Sequence, residues 1–560
     1  MHPVEAAEAA LARIEAWADP ALFITRVAPA EVRARAAALA AEGALGRPLF
    51  GLPFVVKDNI DVAGMPTTAA CPAYAYTPTE SAPAVQRLLD AGGILLGKVN
   101  LDQFATGLVG VRSPYGIPRN ALNPALIPGG SSSGSATAVA AGIAAFSLGT
   151  DTAGSGRIPA AANNIVGLKP SLGLVPTKGV VPACRSLDCV SVFARSIAEA
   201  SAVLNVIAGV EPTDRYSRAA PATWRATPAP QPHWRLAAPL PGQLIFDTPD
   251  DQALYEAMLA KAGPVQRVDI APLLAIAQRL YDGAWVAERT AALRSILETA
   301  ADQVHPVTRS ILNAGFGKQT VDAWDDLHAA AEARRYARAL FAQADALLLP
   351  TAPGIPTLAM LEAEPVAANS RLGTYTNFVN ICDLAALAIP AGFRADGVPA
   401  GLTLVGPAFS EARLAGLGAA LINEPCTPPA LAADELPLFA IGAHMAGLPL
   451  NPQMLRHGGR FIAAATTAPL YRMYDLGPRP GLVRVPEGGM SLAGEIWALP
   501  ASSVGPFLAE IPPPLGFGRV TLEDGSTPLG FLCEAIGVQG AADIAPSTGW
   551  REHLTRREST

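Results

Sequence analysis

The sequence predicts a layered α/β protein followed by a smaller β-rich domain, and three observations carry that expectation. Short apolar runs rich in Val, Ile and Leu alternate with Ala-rich helical patterns as far as a proline-rich break, the signature of strands and helices stacked in layers. Half of the 560 residues are apolar and only 16% are charged, against a usual charged fraction of about 25%, so the chain has much core to fill. Residues 423–437 (NEPCTPPALAADELP) hold four prolines and no periodicity, which sets a boundary between domains at 1–430 and 438–560.

The first 45 residues read as at least two Ala/Glu/Arg-rich helices broken at Pro20 and Pro29. The run Leu52–Val56 is short, apolar and β-branched, so a buried strand ends at Lys57. Residues 81–91 (SAPAVQRLLDA) predict a helix capped by Ser81, and GGILLGKVN the next strand. The runs LGLVPTKGVV, WRLAAPL and DALLLPTA continue the alternation, and a long helical block spans Asp250 to about Ala342. Beyond the break, GRFIAAATTA, YRMYDL, GLVRV, AGEIWALP and FGRVTLE are strand-like runs separated by Gly and Pro.

Composition excludes several function classes. The net charge is −7 and no Lys/Arg run occurs, so no nucleic-acid partner is expected. Six cysteines lie scattered with no C-x-x-C pair, which suggests buried thiols rather than a disulfide framework or a metal site. The N-terminal stretch lacks the basic start and apolar core of a signal peptide. No charged residue occurs between Arg119 and Asp151, yet Pro124, Pro128, Gly129-Gly130 and Ser131 to Ser133 interrupt that span, with Pro118 just before it. A loop, a buried helix and a strand are expected there, not a membrane crossing, and a cytoplasmic protein follows.

None of the seven histidines lies in the Gly/Ser-rich region, and SSSGS at 131–135 is not a G-x-S-x-G nucleophile elbow. Serine chemistry here needs another base. Lys57, at the end of an apolar strand, is placed to lose hydration and so to become a neutral amine. GGSSSGS (129–135) is a serine-dense loop entering an Ala-rich helix, and GTDTAGSGRIP (149–159) carries Ser155 behind small residues. The backbone N–H groups of Thr152, Ala153 and Gly154 could converge on one oxygen, as an oxyanion hole requires.

These segments identify a family. GLPFVVKDNIDVAGMPTT, GGSSSGSA, GTDTAGSGRIPAAANNIVGLKPSLGLVP, SLDCVSVFARS, LLLPTAPGIPT and LAIPAGFRADGVPAGLTLVG together resemble the amidase signature family over about two-thirds of the chain. The separations, 74 residues from Lys57 to Ser131 and 24 from Ser131 to Ser155, agree with that family. The resemblance implies an α/β/α fold around a large mixed sheet, and an amidohydrolase without cofactor or metal. It implies Ser155 as nucleophile, Lys57 as base, and Ser131, after a cis Gly130–Ser131 bond, as the bridge between them. Asp151 and Arg157 match positions that brace the nucleophile loop. Ser133 stands where Gly is usual and Thr403 where Gln is common; neither holds a catalytic role.

Residues 438–545 resemble the accessory domain of allophanate hydrolases, with a fainter likeness to the γ-glutamyl cyclotransferase-like fold. An amidase domain followed by this module implies hydrolysis of allophanate to ammonia and N-carboxycarbamate, which breaks down to carbon dioxide and a second ammonia. Allophanate is a small anion whose carboxylate suits an arginine fork. RLYDGAWVAER (279–289) resembles the family's substrate-recognition helix and offers Tyr281 and Arg289, with Arg309 in HPVTR as runner-up. In the accessory domain His444 and Glu495 stand out against apolar strands, His457 less so, and relatives suggest a role in decarboxylating the first product. A homodimer and an association with urea carboxylase are further implications. The competing readings are an amidase of broader range, the amidating subunit that acts on charged tRNA, and a catalytically silent scaffold.

Overall fold

A computed structural model describes residues 2–428 and 430–559. The chain divides into two compact units. The first runs to residue 425, apart from residues 221–224 and 229–235, which join residues 426 onward in the second. Those two short segments, PATW and APQPHWR, are rich in Pro and Trp, but no domain boundary is expected there from the sequence.

The first unit is built on an 11-stranded mixed sheet. From one edge its strands are Phe23–Arg26, Ile94–Val99, Pro53–Lys57, Phe146–Asp151, Cys189–Ala194, Val166–Lys169, Leu384–Phe393, Pro399–Pro407, Ala346–Pro350, Leu236–Pro239 and Val265–Val268. Pro53–Lys57 pairs in parallel with both of its neighbours, whereas the strands from Phe146–Asp151 to Ala346–Pro350 pair antiparallel. The strands Phe146–Asp151, Cys189–Ala194 and Ala346–Pro350 are buried at every position. That is why they read as continuous apolar runs and not as alternating ones: helices cover both faces of the sheet. The uncharged span after Arg119 folds as a turn-rich loop, the helix Ser133–Ala140 and the strand Phe146–Asp151. Among the described residues no helix is long and apolar enough to cross a membrane.

Several elements differ from the sequence expectation. A strand, Phe23–Arg26, separates the first two helices, and Pro29 starts the second helix at its first turn, where a missing N–H costs nothing. The helix Pro83–Asp90 is not capped by Ser81, whose hydroxyl accepts from the Ala63 N–H at 3.0 Å instead. LGLVPTKGVV forms turns, not a strand. The helical block after residue 249 is five main helices, with the edge strand Val265–Val268 set between the first two.

The second unit holds a five-stranded sheet, Arg460–Thr466, Ala493–Pro500, Glu435–Ala440, Leu529–Cys533 and Leu515–Arg519 in that order, and a three-stranded sheet of Pro480–Arg484, Tyr471–Asp475 and Ala542–Asp543. Trp497, Trp550, Tyr471 and Phe507 fill its core. All six cysteines are free thiols, and only Cys426 is not buried.

Candidate active site

The strand Pro53–Lys57 delivers Lys57 into the interior, where its side chain is fully buried. Its ammonium nitrogen Nζ lies 2.8 Å from Ser131 Oγ and 2.7 Å from Thr150 Oγ1. Burial strips hydration from the charged form and pulls Lys57 down to about 7, with Asp102, Asp188 and Asp151 opposing the fall. A large share of the molecules then carry a neutral amine at neutral pH. The Gly130–Ser131 peptide is cis, and Ser131 enters the helix Ser133–Ala140 fully buried.

Ser155 lies in the turn between the strand Phe146–Asp151 and the short helix Ile158–Ala162. Asp151 organises that turn. Its carboxylate accepts from the N–H groups of Gly154 at 2.9 Å and Gly156 at 3.0 Å, and from Arg157 Nε and Nη2 at 2.9 and 3.0 Å. Burial alone would raise Asp151, but the charge and hydrogen bonds of Arg157 outweigh it and hold the carboxyl below its ordinary range. Arg157 also donates to the Thr376 carbonyl at 3.1 Å. The loop is pinned elsewhere too: Thr152 Oγ1 donates to Asp188 at 2.5 Å, and Thr376 Oγ1 donates to the Ala153 carbonyl at 2.6 Å.

This clasp corrects one expectation. The Gly154 N–H, expected to face an oxyanion, is consumed by Asp151; among the described residues the N–H groups of Thr152, Ala153 and Ser155 have no backbone or side-chain acceptor. Gly154 itself has φ +141°, and a Cβ there would collide with Thr376 Oγ1. The Ser155 hydroxyl donates to the Gly107 carbonyl at 3.5 Å, the outer limit of a hydrogen bond, and makes no hydrogen bond with Ser131 here. The structure thus joins Lys57 to Ser131, while Ser155 sits against Gly107.

Tyr281 and Arg289 come together, the guanidinium 5.0 Å over the phenol ring. Arg289 is 1% exposed, its Nη1 lies 3.5 Å from Thr106 Oγ1, and its Nε and Nη2 have no partner among the described residues. A buried arginine without a carboxylate is costly unless an anion joins it. Tyr281 also borders a cavity of about 970 Å³. Arg309 is not part of this group: it donates to the Ala301 carbonyl at 3.1 Å and closes the turn Ala301–Gln303.

Sequence reasoning passed over Thr150, the second partner of Lys57, and Asp188, the partner of Thr152. Burial pushes Asp188 up to about 6. Both lie inside quoted motifs, but a hydroxyl or carboxylate at a strand end has no spacing signal that separates it from its neighbours.

In the second unit His444 stacks on Phe531 at 4.7 Å between ring centroids and shares a hydrogen bond of 2.8 Å with Gln453. It lines a cavity of about 310 Å³ with Arg479 and Glu510. Burial and the charge of Arg479 lower its proton affinity, the Gln453 hydrogen bond only partly opposing them. Glu495 does not line that cavity; it is taken up by Ala446 N at 2.7 Å, Trp497 Nε1 at 3.0 Å and Arg551 Nη2 at 2.8 Å. His457 contacts Glu510 at 2.8 Å.

Against this geometry stand the comparisons with known proteins. Residues 5–415 match the profile of the Amidase family and residues 436–555 that of the allophanate hydrolase C-terminal domain. The chain belongs to the amidase family. It is 39% identical over 554 residues to the urea amidolyase of Saccharomyces cerevisiae, covering 91% of this chain but spanning only 30% of that protein. It is 36% identical over 421 residues to the A-type subunit of the glutamyl-tRNA(Gln) amidotransferase from a Synechococcus species, covering 67% of this chain and 83% of that protein. The allophanate hydrolase structure from Kluyveromyces lactis superimposes with a TM-score of 0.78 at 37% identity, covering 100% of this chain and 97% of the other.

Proposed function

We propose that this chain hydrolyses allophanate through Ser155, Ser131 and Lys57. The observation that carries the chemistry is the 2.8 Å contact between a fully buried, weakly basic Lys57 and Ser131. Rotation about its Cα–Cβ bond takes the Ser155 hydroxyl from its weak contact with Gly107 to Ser131. Neutral Lys57 accepts the Ser131 proton as Ser131 takes that of Ser155, and Ser155 Oγ bonds to the terminal amide carbon. The free N–H groups of Thr152, Ala153 and Ser155 hold the oxyanion. The C–N bond then breaks, ammonia leaves with the proton returned through Ser131, and water releases N-carboxycarbamate by the same relay.

The substrate reading rests on Arg289, whose two unpartnered nitrogens form the fork a carboxylate needs, with Tyr281 fixing the guanidinium plane. We assign the second unit, which we read as γ-glutamyl cyclotransferase-like, to the decarboxylation of the first product. The His444 cavity, in which Arg479 and Glu510 stand among mostly apolar side chains, is its candidate site. Glu495 is in this reading a structural carboxylate. A cytoplasmic homodimer is proposed on the family resemblance, and partnership with urea carboxylase on that resemblance and on the much longer urea amidolyases the chain matches.

Counting ammonia released from synthetic allophanate tests the proposal, the full chain being compared with a truncation at about residue 435. Two ammonia per allophanate are expected from the full chain. Turnover of simple neutral amides with none of allophanate would overturn the substrate assignment.

A further inference from the structure

Asp102 belongs to none of the roles above, yet it touches the surroundings of both serines. It is fully buried, and its N–H donates to the Ser131 carbonyl at 3.1 Å. Its carboxylate accepts from the N–H groups of Gly110 and Arg112 at 2.9 Å and Val109 at 3.2 Å, folding the loop that follows Gly107. Gly107 is the residue whose carbonyl holds the Ser155 hydroxyl. A Cβ on Gly107 would lie 2.6 Å from the Asp102 carboxylate, and one on Gly130 would collide with it. The carboxylate is therefore wedged between the residue before Ser131 and the acceptor of Ser155.

Of the three acids whose charge reaches Lys57, only Asp151 has an ion pair among the described residues. Asp151 is clasped by Arg157, and Asp58, next to Lys57, pairs with Lys98 of the neighbouring strand at 3.3 Å, whereas Asp188 accepts from Thr152 and from the N–H groups of Ala183 and Cys184. Asp102 has no ion pair among the described residues. The nearby Arg112 guanidinium donates to the carbonyls of Thr106 and Pro365, and burial together with Arg112 lowers the proton affinity of His305 while Asp102 opposes the fall. Three backbone N–H groups stabilise a carboxylate without cancelling its field.

We infer that Asp102 is a positioning residue that sets both serines in place and supplies a buried negative charge to the surroundings of Lys57. This rests on the Lys57–Ser131–Ser155 reading and not on allophanate as substrate. Its role is electrostatic as well as mechanical: a fixed negative charge favours the ammonium that forms when Lys57 takes a proton.

The test is the pH dependence of serine modification by phenylmethylsulfonyl fluoride, in which the Ser155 Oγ–S bond forms, fluoride leaves and the relay takes the proton. It is run on the full chain as wild type, Asp102→Asn and Asp102→Glu, beside allophanate turnover, with folding checked by circular dichroism. Asp102→Asn removes the charge, so the acid limb should move to lower pH by about one unit and the plateau rate should fall at least about tenfold. Asp102→Glu keeps the charge but displaces it, so its limb should stay with wild type while its plateau falls; it serves alone if the Asn variant does not fold. A folded Asn variant with an unmoved limb, or a Glu variant with the full plateau rate, overturns the inference. Wild type that is sulfonylated normally but ignores allophanate would count against the substrate proposal only.

Discussion

A lysine works as a base at neutral pH only where its proton affinity is lowered without an ion pair to quench it. Lys57 meets that condition with two hydroxyl partners and no carboxylate in direct contact. With its midpoint near 7, the ammonium form dominates below that pH and cannot accept a proton. The kcat/KM of the free enzyme should therefore fall about tenfold per unit below pH 7 and level off above it. A profile flat from pH 5.5 to 8 would show that another group is the base. Ser155→Ala should lose about 10⁴-fold or more in kcat. At Arg289, loss of a charge-assisted fork should raise KM for allophanate about 10- to 100-fold, with Arg289→Lys a poor rescue because an ammonium lacks the fork. An unchanged KM in Arg289→Ala would leave the carboxylate without its proposed partner.

At the scale of elements, the nucleophile turn is held less by its own residues than by the Asp151–Arg157 clasp. Both partners are fully buried, so Arg157→Ala strands a charge and should cost about 3–5 kcal/mol, read as a lower midpoint of thermal unfolding. A variant as stable as wild type would mean the clasp is dispensable. The motif GTDTAGSGR made this turn legible, because small residues and paired charges at fixed spacing have few other uses. The same logic failed at short range. Ser81 had the right offset for a helix cap, but its hydroxyl was claimed by Ala63 from another segment, and the four-residue strand Phe23–Arg26 left too little periodicity to detect. Asp102 was illegible for a related reason: its partners are backbone N–H groups, which carry no side-chain signature. Arg309 was hard to weigh because an arginine that satisfies a nearby carbonyl, as Arg309 does at Ala301, looks in sequence like one that waits for an anion.

For the whole molecule, the apolar composition agrees with a sheet covered on both faces, and the proline-rich break lies where one compact unit gives way to the next. On the proposed reading the two units carry two steps. A chain ending near residue 435 should release the first ammonia at the wild-type rate and the second after a lag set by spontaneous breakdown, and His444→Ala in the full chain should reproduce the lag. A truncated chain with no lag would leave the second unit without a role in the reaction. The most direct measurement is the initial rate of ammonia release from allophanate by Lys57→Ala at pH 8. The relay requires that rate to fall by about 10⁴-fold or more with the protein folded. A variant within tenfold of wild type would mean that a buried amine is not what drives this serine.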